Sequence, residues 1–191
     1  MVVINDDGNE ITFPSEYNEI TIKQLDRIAE IFETDITETE QWILVVSYLA
    51  GIRKEVIEDW PMPEFMNICH QLFTRLPDPG NAVESIEIDG YRYCVTPYDY
   101  LTARESAWVE KIFTVSTKDR FAKVLAVIFK REDLTKTEHF ANAHITYKAE
   151  LFGSLKADTM IGHLSKFGIQ FLENLVSTVN EDQNVTGDIE S

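Results

Sequence analysis

An Asp-Gly pair bracketed by β-prone residues, then a Thr-capped run of amphipathic helix, occurs twice in this chain, and that recurrence constrains its fold more than any other feature. Val2 to Phe13 surround Asp7-Gly8, and Ile86 to Val95 surround Asp89-Gly90. Asp-Gly supplies the positive φ that a tight hairpin connection requires, so the alternating runs on either side read as paired antiparallel strands. The pattern predicts an α+β fold, predominantly helical, built as two similar lobes that are each a small β-hairpin followed by a helical bundle. Residues 1–76 make the first lobe and residues 85–179 the second. A linker at 77–84 separates them, marked by Pro77-Asp78-Pro79-Gly80, the clearest break in the chain. Residues 180–191 are acidic and apolar-poor, and composition predicts a disordered tail.

Helix signals follow each hairpin. Thr21-x-x-Gln24 is a capping box, and Ile22, Leu25, Ile28, Ala29 and Phe32 behind it recur at spacing three and four on one face. Thr37-x-x-Glu40 opens a second helix, apolar almost all round from Trp42 to Leu49, which predicts a central position in its lobe and a stop at Gly51. Arg53 to Asp59 reads as a short helical turn. Trp60-Pro61-Met62-Pro63 starts a helix carrying Phe65, Ile68 and Cys69. In the second half Thr96-Pro97 reads as a cap and first-turn pair for a helix through Leu101, Trp108, Val109, Ile112 and Phe113. Phe121 to Phe129 answers the apolar helix of the first lobe, and two longer helices are expected over 138–152 and 157–179.

Charge separates the halves that the pattern unites. Of a formal net charge of −16, residues 1–60 hold 14 acids against 4 bases, whereas residues 97–179 hold 10 acids against 11 bases. Glu30, Glu33, Asp35, Glu38 and Glu40 crowd the end of the first helix, while Lys118, Arg120, Lys123, Lys130, Arg131 and Lys136 form the densest basic stretch. Such asymmetry steers oppositely charged partners, or two copies of one protein, into a head-to-tail encounter. The overall charge argues against a nucleic-acid binder, which neutralises phosphates with Lys and Arg. No window approaches the roughly 18 consecutive apolar residues of a membrane span, and no signal peptide precedes Val2, so a cytoplasmic protein is expected. Cys69 and Cys94 are then expected as two buried thiols.

Chemistry-bearing constellations are missing from the sequence. His139 and His144 are five residues apart, about 140° around a helix, so they do not share a face as a paired metal site demands. Cys69 and His70 diverge by about 100°, a poor dyad. Asp6-Asp7-Gly8-Asn9-Glu10 lacks the alternating ligands of a calcium loop and reads as a turn. Phosphate-binding glycine loops and nucleophile elbows are absent. The expectation is no enzyme, no cofactor and no metal, with function residing in protein-binding surfaces. Candidates are the Trp60-Met62 corner, the acids Glu33, Asp35 and Glu38, and the basic helix pair carrying Lys118, Arg120, Lys123, Lys130 and Arg131.

Three segments then suggest a family. Glu19-Ile20-Thr21-Ile22-Lys23-Gln24-Leu25-Asp26, Leu49-Ala50-Gly51-Ile52 with the Glu-rich turn after it, and Ile88-Asp89-Gly90-Tyr91-Arg92-Tyr93 leading into a Thr-capped helix resemble small acidic proteins of tailed bacteriophages, the tail assembly chaperones and baseplate assembly proteins. The resemblance is one of pattern over most of residues 1–179 and carries no catalytic residues. It implies a helical, non-enzymatic protein of the host cytoplasm that binds another virion protein, whether tape-measure, tail or baseplate. Retention in the virion as a permanent component is the alternative. An acidic host inhibitor mimicking DNA is a third reading, opposed by the near-neutral second half, because a mimic needs acids along one extended face.

Overall fold

The computed structural model describes residues 2–6, 9–14, 18–71, 83–115, 118–134 and 142–164. Most of the proposed 77–84 linker, His139 and the 180–191 tail lie outside the described residues. The described chain is mixed α+β and mainly helical.

Strands β1 (Val2–Asp6) and β2 (Asn9–Phe13) pair antiparallel with Asp6 opposite Asn9, the register that an Asp-Gly connection imposes. Helix α1 (Ile22–Phe32) begins at the Thr21 capping box: Gln24 N–H donates to Thr21 Oγ1 at 3.2 Å, and Thr21 N–H donates to Gln24 Oε1 at 2.9 Å. Helix α2 (Glu38–Ala50) opens on the equivalent Thr37 and Glu40 box and closes on Gly51, whose φ of 69° is the left-handed conformation that glycine adopts without a Cβ penalty. Short helix α3 (Lys54–Glu58) and helix α4 (Met62–Gln71) complete the first half.

The second hairpin is β3 (Ser85–Ile88) and β4 (Tyr91–Val95). Asp89 at φ 52° and Gly90 at φ 76° both sit in the left-handed region, which defines the type I′ turn that the sequence announced. A 3₁₀ turn over Tyr98–Tyr100 follows, then α5 (Ala103–Thr114) and α6 (Arg120–Ile128). Helix α5 therefore starts six residues later than Thr96-Pro97 suggested. Thr102 is its cap, because Glu105 three residues on completes a capping box that Thr96 has no partner to form.

A second correction concerns the end of α6. Phe129, expected as its last turn, begins a strand instead, β5 (Phe129–Arg131), which pairs antiparallel with β4 and makes that strand the centre of a three-stranded sheet. The open edge of the hairpin supplies the hydrogen-bond partners, and this tertiary demand overrides a helical apolar pattern. Helix α7 (Asn142–Gly153) and a helical segment over 157–164 close the described fold.

Helix α6, rather than α2, lies at the centre of the described fold. Ala122 and Val124 through Ile128 are all buried, and α6 packs against α1, α5 and α7, whereas α2 keeps Trp42, Ile43 and Leu44 half-buried and Tyr48 exposed. The two halves share one core. Ile22 N–H donates to the Leu155 carbonyl and Ala157 N–H to the Ile20 carbonyl, each at 2.9 Å, stitching the entry of α1 to the loop after α7. Beneath the sheet, Tyr93 meets the Phe152 ring edge-on at 5.7 Å, while Phe129 packs on Phe152 at 5.1 Å and on His163 at 5.2 Å. His163 is thus a core residue, with Nε2 lying 2.7 Å from the Val83 carbonyl.

Candidate functional site

Among the described residues no group of three or more His, Cys, Asp or Glu is placed to hold a metal ion. The arrangements that carry chemistry of another kind are the joints and the uncovered apolar faces, and the joints decide which faces stay uncovered.

The most consequential joint is Asp26. On α1 it occupies the apolar stripe, four residues after Ile22, and it is buried. Its two carboxylate oxygens accept from the Phe121 N–H at 2.7 Å and the Ala122 N–H at 3.1 Å, so a side chain of the first half caps the first turn of α6. Helix α6 needs this, since its own cap residue Asp119 is in the left-handed conformation and makes no side-chain cap bond. Burial pushes the Asp26 carboxyl up to about 6, and the two backbone N–H bonds hold it from rising further.

A second joint ties the basic stretch down. Glu105 is fully buried, accepts from Thr102 N–H at 2.6 Å and pairs with Lys130 Nζ at 2.5 Å. Burial alone would raise its pKa, and the Lys130 ammonium together with the Thr102 bonds outweighs that and holds it below the usual range. Lys148, also buried, donates to the Phe129 carbonyl at 3.0 Å, and desolvation followed by repulsion from Lys130 lowers it to about 8. Arg131 pairs with Asp133 at 2.6 Å and stacks on Tyr91 at 4.1 Å. Arg120 forms an ion pair with Glu33, joining the nominated acids and bases inside one chain. Lys123 Nζ donates to the Lys118 carbonyl. The five nominated bases therefore do not form a basic helix pair: Lys118 precedes α6, Arg120 and Lys123 lie on it, and Lys130 and Arg131 lie on β5.

One face that remains uncovered in the first half is the corner between α1 and α2. Phe32 closes α1 and packs edge-on against Trp42 at 5.1 Å, yet is 39% exposed, as is Ile36 in the connecting turn. Exposed Glu33, Asp35, Glu38 and Glu40 surround them. The corner is held rigid from within. Gln41 Nε2 donates to the carbonyls of Phe32 and Thr34, at 3.2 and 3.0 Å, and Thr34 Oγ1 donates to the Ile31 carbonyl at 2.6 Å. Bonds from the Thr37 hydroxyl and backbone lower the Glu40 carboxyl, which stays ionised and keeps the rim negative.

Two further apolar faces are open. Met62 and Met66 project from α4, while Trp60 before it is only half-exposed and packs against the core. Between α5 and α6, Trp108, Ile112 and Val115 line a groove of about 180 Å³ whose sides carry Lys111 and Lys123. Of the residues named from sequence, the structure brings Glu33, Asp35, Glu38 and Arg120 to one corner and leaves Trp60 and Met62 apart from it. Phe32, Ile36 and Val115 were missed. Phe32 falls in register with the α1 stripe, and only its place at the helix end exposes it. Asp26 carried a visible signal, an acid inside an apolar stripe.

The thiols are free, Cys69 buried and pushed up to about 11, Cys94 half-buried and donating to Glu132 Oε1 at 3.1 Å. No described helix is long and apolar enough to cross a membrane. Comparison of the chain with protein-family models, with curated proteins and with solved structures finds no match to any of them.

Proposed function

We propose that this chain is a non-enzymatic bacteriophage tail or baseplate assembly protein that acts by binding another virion protein in the host cytoplasm. The observation that carries the binding reading is the α1–α2 corner, where Phe32 and Ile36 stand exposed beside Trp42 on a hydrogen-bonded frame rimmed by acids. Exposed aromatic and aliphatic side chains grouped on a preorganised element are what protein interfaces use as anchors, because little ordering entropy is lost on docking. The acidic rim selects a partner segment bearing Lys or Arg around an apolar centre. The phage assignment rests on the pattern similarity of Glu19 to Asp26, Leu49 to Ile52 and Ile88 to Tyr93.

Co-expression with a long helical tape-measure protein, followed by affinity capture, tests the proposal. Wild-type chain retains the tape-measure protein, and Phe32→Ser with Ile36→Ser weakens capture roughly tenfold or more. Failure of capture, together with normal tails from a deletion mutant, overturns it. Mass spectrometry of purified virions distinguishes an assembly factor, which is absent from particles, from a permanent component.

A further inference from the structure

Two apolar faces on opposite halves of the molecule complement each other, and within one chain neither covers the other. The first is on α4, where Met62 and Met66 are four residues apart and so share a face, 56% and 42% exposed. Exposed Glu58, Asp59 and Glu64 flank it. Unbranched thioether side chains conform to irregular apolar hollows, which suits them to docking. The second is the α5–α6 groove, with Trp108, Ile112 and Val115 as its apolar lining and Val115 48% exposed at its mouth. Lys111 and Lys123 flank this face, and among the described residues neither has a carboxylate partner. One face is methionine edged by acids, and the other is an aromatic and aliphatic hollow edged by lysines.

We infer that a second copy of this chain docks its Met62–Met66 face into the Trp108–Ile112–Val115 groove, with the acids beside α4 set against Lys111 and Lys123. The inferred contact is heterologous rather than a reciprocal exchange in a closed dimer: each copy uses its α4 face on one neighbour and its groove on another, and association continues beyond a dimer into rings or open chains. Opposite charge at the edges fixes the direction of docking and makes it weaken with salt. This contact leaves the α1–α2 corner free, so it stands or falls separately from the binding of a virion protein there.

Sedimentation velocity of the full chain, across a concentration series at low and high salt, tests the inference. Wild type forms species larger than a dimer as concentration rises, and fewer of them at high salt. Met66→Asp and Val115→Asp change exposed side chains, and far-UV circular dichroism confirms that each variant folds. Each alone weakens association roughly tenfold or more. Mixed in equal amounts they form a dimer and stop there, because Met66→Asp retains an intact groove and Val115→Asp retains an intact α4 face. Should either variant misfold, the charge reversals Glu64→Lys and Lys111→Glu replace them: each weakens association alone, and their mixture, in which both contacts pair opposite charges, associates beyond a dimer again. A wild type that stays monomeric or stops at a dimer overturns the inference, as does association unaffected by either single change or a mixture that remains monomeric.

Discussion

One carboxyl group carries an unusual share of this fold. Asp26 closes the first turn of α6 from another helix, and it does so buried, with its pKa raised to about 6 from an ordinary 3.8. An acid raised on folding contributes stability that is full below the unfolded pKa and is lost as pH rises through the folded one. The stability difference between wild type and Asp26→Asn, measured from urea midpoints, therefore falls as pH goes from about 4 to about 7, by an amount on the order of a few kcal/mol. A flat difference across that window would show that the hydrogen bonds offset the cost of burial and that folding leaves the carboxyl unshifted. Direct titration of the Asp26 side-chain carbon by NMR gives the same answer without a variant. Asp26 was legible as an anomaly in the α1 stripe, but its partner was not, because the N–H groups it serves are backbone and leave no trace in residue type.

At the scale of elements, the Thr-headed capping boxes at 21, 37 and 102 organise the helices of both halves. Thr102→Ala removes the acceptor for Glu105 N–H and loosens a carboxylate that also holds Lys130. Its cost is about 1–2 kcal/mol in chemical denaturation, and Thr37→Ala, on an exposed corner, costs about 0.5–1 kcal/mol. Equal costs would mean that the Lys130 pair adds nothing to the cap. Boxes and the Asp89-Gly90 turn were readable because their information lies within four residues. Strand β5 was not, since Phe129 to Arg131 becomes a strand only when β4 offers an open edge. The exposed corner was half-readable: its acids are plain in the sequence, whereas the exposure of Phe32 depends on where α1 ends relative to α2.

The whole molecule behaves as the seams between its halves dictate. With Asp26 on α6, Glu33 on Arg120 and backbone bonds joining Ile20 and Ile22 to Ala157 and Leu155, neither half retains all its partners alone. Calorimetry of the full chain is expected to show one cooperative transition, and fragments 1–76 and 85–191 none of comparable sharpness. Two separable transitions, or a fragment that unfolds cooperatively by itself, would make the halves independent domains. The order of hairpin, helix and apolar helix in each half was visible from residue periodicity. The single core that the halves share was not, because it rests on contacts distant in sequence.

The span of the Asp26 bond also sets a timetable for the newborn chain. Phe121 lies 95 residues beyond Asp26, so at bacterial or eukaryotic elongation rates the ribosome needs roughly 5–20 s to deliver the helix that α1 will hold. Throughout that interval α1 has α2 to pack against, but the part of its apolar stripe that meets α6 lacks its partner. The first 60 residues, with 14 acids against 4 bases, are all made before α6 is. Like charge of that size is expected to oppose association between nascent chains during the wait, a consequence of the lopsided charge that belongs to biosynthesis and not to the folded protein.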